Sequence, residues 1–203
     1  MARPILVLGT HNRKKGIELA ELLGPHGIEL RTLAEYDNAS TVDETGDTFA
    51  ANAILKATQQ ACHLGHWVLG EDSGLAVDAL GGAPGIFSAR YAGADSDDDR
   101  NNQHLLDELG ETPPEKRQAH YVCHAALSDP AGQIRAQSEA RCLGRIRFEP
   151  VGNAGFGYDP LFEIVEYHRT FAELGNVVKS VLSHRSRALR IMTPLLLAAM
   201  RTG

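Results

Sequence analysis

Residues Ala119-His120-Tyr121-Val122-Cys123-His124-Ala125-Ala126-Leu127 and Ile134-Arg135-Ala136-Gln137-Ser138-Glu139-Ala140-Arg141-Cys142 flank a turn-forming tetrapeptide, Asp129-Pro130-Ala131-Gly132. In the first run Ala119, Tyr121, Cys123, Ala125 and Leu127 fall on one face. In the second, Ile134, Ala136, Ser138, Ala140 and Cys142 alternate with Arg135, Gln137, Glu139 and Arg141. A period of two on both sides of a Pro/Gly turn is the pattern of a long β-hairpin with one wetter face. His120 and His124 read as part of its polar side. The flanking segments alternate strand and helix, so the hairpin decides the class: α/β, with a mixed sheet rather than an all-parallel one.

Working outward, Ile5-Leu6-Val7-Leu8-Gly9 is an apolar run of the kind buried on both faces. Polar Thr10-His11-Asn12-Arg13-Lys14 follows, then a helix from Lys15 to Leu23 ended by Gly24-Pro25. Ile28 to Leu33 reads as a second strand and Thr41 to Asp47 as an acidic loop. Thr48 is placed to cap a helix running to about Leu64, with Gly65 as its stop. Trp67-Val68-Leu69-Gly70 reads as a short strand. The six glycines between positions 70 and 93 predict a long, functional loop after it. Asp95-Ser96-Asp97-Asp98-Asp99 suits a helix N-terminus. Gly152 to Pro160 is a second glycine-rich loop, Leu161 to Val165 a strand, and Ser180 to Met200 a terminal helix that Pro194 should kink or split.

The 203 residues are 43% hydrophobic and 23% charged, which suits one folded domain, 1–203, and excludes disorder as the dominant state. Three cysteines, Cys62, Cys123 and Cys142, lack zinc-like spacing and read as reduced thiols. No apolar run is long enough for a bilayer, and the first one meets His11-Asn12-Arg13-Lys14-Lys15 at once, so a cytoplasmic protein is expected. A net charge of −6 argues against a nucleic-acid coat, but not against a small polyanion met by a local cation cluster or a bound Mg²⁺.

Five stretches could carry chemistry. Thr10-x-Asn12-x-x-Lys15 feeds a helix N-terminus, whose free N–H groups, with Lys14 and Lys15, suit phosphate oxygens; the ending of a Walker A loop is absent. Glu71-Asp72, followed by Ser73, places two carboxylates at the end of a short strand. Because neighbouring strand residues point to opposite faces, only one of them is expected at any one metal. Glu44, in the acidic loop, is a third carboxylate source, and Asn52 and Lys56 share one face of the helix beyond it. In Gly155-Phe156-Gly157-Tyr158-Asp159-Pro160 two aromatics beside glycines offer a stacking plane. Lys179 with Ser183-His184-Arg185, near the start of the terminal helix, supplies donors for a base carbonyl or a phosphate.

Taken together, and in this order, these stretches resemble the inosine triphosphate pyrophosphatase family. The match runs through Thr10–Lys15, Glu44–Ala57, Asp72–Leu80, Gly82–Gly93 (with Arg90), Gly155–Pro160 and Ser183–Arg185. The resemblance implies a long mixed β-sheet flanked by helices, with two lobes and a central cleft, and a homodimer with no nucleic-acid or membrane partner. It implies Mg²⁺-dependent hydrolysis of dITP, ITP and XTP to the monophosphate and pyrophosphate. Asp72 then corresponds to the catalytic acid–base and a metal ligand, with Glu44 and Glu71 as further metal-site carboxylates. Thr10, His11, Asn12, Arg13, Lys14 and Lys15 correspond to the phosphate loop. Asn52, Lys56, Ser73 and Arg90 correspond to substrate contacts, and Phe156, Gly157, Tyr158, Asp159, Lys179, His184 and Arg185 to the base pocket. Four positions depart from the family pattern. Glu71 stands where Asp is usual, leaving open whether it meets metal directly or through water; His11 stands where Gly is common; Val177-Val178 stands where acidic residues are usual. A related enzyme acting on modified pyrimidine nucleotides, and a nucleotide-binding regulator without turnover, are the rival readings.

Overall fold

The computed structural model describes residues 5–202. Seven strands form one sheet: β1 (Ile5–Leu8), β2 (Glu29–Thr32), β3 (Trp67–Val77), β4 (Gln118–Ser128), β5 (Ile134–Ile146), β6 (Phe162–Ile164) and β7 (Arg169–Thr170), in the order β2-β1-β3-β4-β5-β6-β7. The sheet is mixed, as the hairpin predicts. β1 runs parallel to β2 and β3, with Leu6 opposite both Leu30 and Trp67, whereas β6 is antiparallel to β5 and β7. The helices are α1 (Arg13–Leu23), α2 (Phe49–Leu64), α3 (Asp98–Leu109), α4 (Phe171–Leu182) and α5 (His184–Thr202). Among the described residues no helix is long and apolar enough to cross a membrane.

Helix ends fall where cap chemistry puts them. Asn12 accepts from the Lys15 N–H, Thr48 from that of Ala51 and Asp97 from that of Arg100, each satisfying an orphan donor of the first turn. Gly65 closes α2 in the left-handed conformation.

Three expectations are corrected. The strand expected to stop at Gly70 continues to Val77, so Glu71 and Asp72 lie in mid-strand rather than at a strand end. Gly70 is there for packing: a Cβ on it would lie 2.3 Å from the Ala53 carbonyl oxygen and 2.6 Å from the Ala57 nitrogen, so α2 rests directly on the strand backbone. The long loop expected after it is largely ordered, with 3-10 turns at Asp78–Leu80 and Gly85–Arg90. The terminal helix starts at His184 and runs through Pro194 unsplit, and a separate helix, α4, precedes it. Lys179 therefore sits in the last turn of α4.

The chain forms two compact units. The first holds the residues up to Asp72, Cys123–Ala140 and those from Arg185 on; the second holds Ser73–Val122 and Arg141–His184. The core of the first packs Leu6, Leu8 and Leu69 of the sheet with Leu19 and Leu23 of α1 and Leu189, Met192 and Leu196 of α5. That of the second joins Leu75, Tyr121, Ile146 and Phe162 to Leu105 and Leu109 of α3 and Phe171 of α4.

Candidate active site

In the first unit, the end of β1 delivers the chain into α1. Gly9 permits this turn: a Cβ there would meet the Val68 side chain at 2.9 Å and the Leu69 carbonyl at 3.2 Å. His11, Asn12, Arg13 and Lys14 are exposed. The Asn12 carboxamide oxygen is used as the helix cap, and Thr10 Oγ1 accepts from the Asn12 N–H at 3.1 Å. His11, at the family's glycine position, bonds through Nε2 to the Ser40 carbonyl at 3.1 Å, which ties this loop to the segment leading into the acidic loop.

β3 presents its two carboxylates to different partners, as strand alternation requires. Glu71, 1% exposed, pairs with Lys15 Nζ at 3.1 Å and Arg185 Nε at 3.3 Å, and accepts from the Cys123 thiol at 3.3 Å. Arg185, 2% exposed, also pairs with Glu18 of α1. Charges this deeply buried persist only when paired, so Glu71 is the counter-ion that holds Lys15 at the head of α1 and Arg185 at the head of α5. Glu71, expected at the metal site, is here committed to two cations, and Arg185, expected at the base pocket, lies in the first unit against Glu71 and Glu18. Burial pushes the Cys123 thiol well up, so it is an inert member of this network.

Asp72 faces α2. Its Oδ1 lies 2.9 Å from Lys56 Nζ and its Oδ2 3.4 Å from Asn52 Nδ2, while Lys56 Nζ also reaches Glu44 Oε2 at 3.1 Å. The helix spacing that puts Asn52 and Lys56 on one face thus aims both at one carboxylate. Burial pushes Asp72 above the usual carboxylate range, against the pull of Lys56 and Lys15, and Glu71 adds to the push. Burial also opposes the charge on Lys56, but Asp72 and the neighbouring glutamates outweigh it and hold the ammonium above its ordinary value.

Two hard oxygen donors, Glu44 and Asp72, therefore converge on a point already occupied by a cation, the Lys56 ammonium. Among the described residues no group of three or more His, Cys, Asp or Glu forms a protein-only metal cage. A pair of carboxylates completed by substrate phosphate oxygens is the donor set that Mg²⁺ usually takes, so these residues fit it.

The second unit gathers the other expected residues. Lys179 Nζ is 2.6 Å from Asp159 Oδ2 and lies 4.2 Å from the centre of the Phe156 ring. The same Asp159 oxygen accepts from the Phe156 N–H at 2.9 Å, and Asn102 Nδ2 donates to the Gly157 carbonyl at 3.0 Å, fixing the loop. Gly155 has to be glycine: its φ is +80°, and a Cβ would lie 2.1 Å from Asp159 Oδ2. The His184 ring stacks on Tyr121, with centroids 4.6 Å apart and planes 9° from parallel. Tyr158 is corrected: it is buried in the core with its hydroxyl donating to the Ser88 carbonyl at 2.9 Å, so of this loop's two aromatics it is Phe156 that offers a partly open ring. Arg90 is exposed, with its guanidinium 5.4 Å from the centre of the Phe87 ring, and Ser73 is half-buried.

Sequence reasoning missed α4, although Thr170-Phe171-Ala172-Glu173 carries its signal. Thr170 accepts from the Glu173 N–H and the Glu173 side chain accepts from the Thr170 N–H, a complete capping box. Non-helical Gly175, with φ +76°, obscured the periodicity. Also missed was Arg117. Its buried guanidinium donates to the carbonyls of Gly110, Thr112, Ile146 and Arg147, joining the segment after α3 to the end of β5.

The α/β fold thus gathers cations and carboxylates at the head of α1 and the middle of β3. The Ham1 family model matches residues 6–195, and the chain belongs to that family. It is 56% identical over 198 residues, 98% of this chain and 95% of the relative, to a protein of Rhodopirellula baltica named dITP/XTP pyrophosphatase. A dITP/XTP pyrophosphatase of Desulforamulus reducens is 48% identical, with 91% of this chain and 92% of that one covered. Among solved structures, a HAM1 protein from Coxiella burnetii superposes with a TM-score of 0.87 at 36% identity, over 96% of this chain and 99% of that one.

Proposed function

We propose that this protein hydrolyses non-standard purine nucleoside triphosphates, dITP, ITP and XTP, to the nucleoside monophosphate and pyrophosphate, with Mg²⁺ as cofactor. The observation that carries the reading is the sharing of the Lys56 ammonium between Glu44 and Asp72. The names of the relatives and the family membership support the hydrolase activity and its substrate class. The family resemblance supports a homodimer in the cytoplasm.

A nucleoside triphosphate carries about four negative charges, and water attacks it only once they are screened. Glu44 and Asp72 would hold the Mg²⁺, which supplies charge neutralisation at the phosphate oxygens when bound. Lys15, oriented by Glu71, and the free N–H groups at the head of α1 take up further charge. Asp72 orients the attacking water and accepts its proton. Lys56, already beside Asp72, favours the ionised carboxylate that accepts the proton.

For the base, Phe156 offers a ring face polarised by Lys179. Hypoxanthine and xanthine present a 6-oxo acceptor where adenine presents an amino donor. Donors of His184 and the 156–159 loop match the oxo group, and a buried donor left unmatched costs about 1–3 kcal/mol. Guanine shares the oxo group, so its 2-amino group is the feature refused.

The test is product identification. With Mg²⁺, dITP is expected to yield dIMP and pyrophosphate in equal amounts, and excess EDTA is expected to stop the reaction. Release of inorganic phosphate and dIDP, or turnover undiminished by EDTA, would reject the reading.

A further inference from the structure

The family pattern places Asn52 among the substrate contacts, but its side chain is 1% exposed and engaged at both ends. Oδ1 accepts from the Gly46 N–H at 2.8 Å, and Nδ2 donates to Asp72 Oδ2 at 3.4 Å. The backbone N–H of Asn52 bonds to the Thr48 carbonyl at 3.1 Å, so the residue is anchored in the first turn of α2. On the far side, Lys56 reaches Asp72 at 2.9 Å and Glu44 at 3.1 Å, and Glu44 is two residues from Gly46. The contacts close a ring: Asn52, the Gly46 backbone, Glu44, Lys56, Asp72 and back to Asn52. A carboxamide supplies an acceptor at one end and a donor at the other. Gly46 is fitted to it: a Cβ there would lie 2.6 Å from Asn52 Oδ1 and 2.7 Å from the Ala51 Cβ.

We propose that Asn52 is a positioning residue, not a substrate contact: its amide sets the acidic loop carrying Glu44 in register with Asp72. This rests on Asp72 being the reacting carboxylate. A residue that orients a working group from behind changes turnover and leaves substrate affinity alone.

The experiment measures kcat and KM for dITP with Mg²⁺ in Asn52→Asp and Gly46→Ala, together with the urea midpoint of each. Asn52→Asp keeps an acceptor for the Gly46 N–H but loses the donor to Asp72. Gly46→Ala leaves the amide in place and pushes it with a methyl group. Both are expected to lower kcat about 10- to 100-fold, the usual cost of removing a supporting partner, with KM unchanged. The agreement of two variants with different chemistry is what a positioning role requires. If Asn52→Asp does not fold, Gly46→Ala decides. A raised KM in either variant would make Asn52 a substrate contact and overturn the proposal. A lowered urea midpoint with both kinetic constants at parental values would make it a purely structural residue, with the same consequence. If Asp72→Asn is inactive while these variants keep parental kcat, this inference alone fails. If Asp72→Asn keeps its turnover, the functional reading fails first.

Discussion

Asp72→Asn is expected to fold like the parent and to lose roughly 10²–10⁴ in kcat on dITP, the range for removal of a general base. That corresponds to about 3–5 kcal/mol of transition-state stabilisation. The amide keeps the shape of the carboxylate and its single oxygen can still accept from Lys56, while its NH2 loses only the long Asn52 contact, so packing is little disturbed. What it loses is the proton-accepting charge and one of the two oxygens offered to a cation. The check is kcat at saturating Mg²⁺ beside the circular dichroism spectrum and urea midpoint of the same preparation. Near-parental turnover in a folded Asp72→Asn protein would remove Asp72 from the chemistry.

The second large effect falls on stability. Glu71→Gln leaves Lys15 and Arg185 beside a neutral amide, although Glu18 still pairs with Arg185. Breaking a buried ion network by removing one partner costs about 3–5 kcal/mol, and the retained Glu18 contact puts the expectation near the lower figure. Glu71→Asp keeps the charge and is expected to recover most of the loss, short of one methylene of reach. Urea unfolding with an unchanged slope and a lowered midpoint in Glu71→Gln is the readout. A midpoint equal to the parent's would show that the network contributes nothing to stability and that Glu71 is free for another role.

Local signals were legible in the sequence, and long-range pairings were not. Thr48 and Gly65 bound α2 because cap chemistry is written in adjacent residues, and the alternation on either side of Asp129–Gly132 defined the hairpin. Spacing of four put Asn52 and Lys56 on one helix face, and the structure aims both at Asp72. In the sequence β3 reads as ending at Gly70 because glycine reads as a strand breaker; here Gly70 is glycine because α2 touches the strand backbone, a contact that only the fold reveals. Arg185 reads as a base-pocket donor beside His184, yet its partners are Glu71, 114 positions earlier, and Glu18, 167 positions earlier. Tyr158 looks like a second stacking ring, but alternation within a loop does not say which aromatic turns inward, and Ser88 claims its hydroxyl.

The most direct test of the account compares kcat/KM for dITP, XTP, dGTP and dATP under one set of conditions with Mg²⁺. Hydrolysis of dITP and XTP should exceed that of dATP by about 5- to 150-fold for a single mismatched buried donor, and dGTP should also lag. Equal rate constants on all four would contradict it.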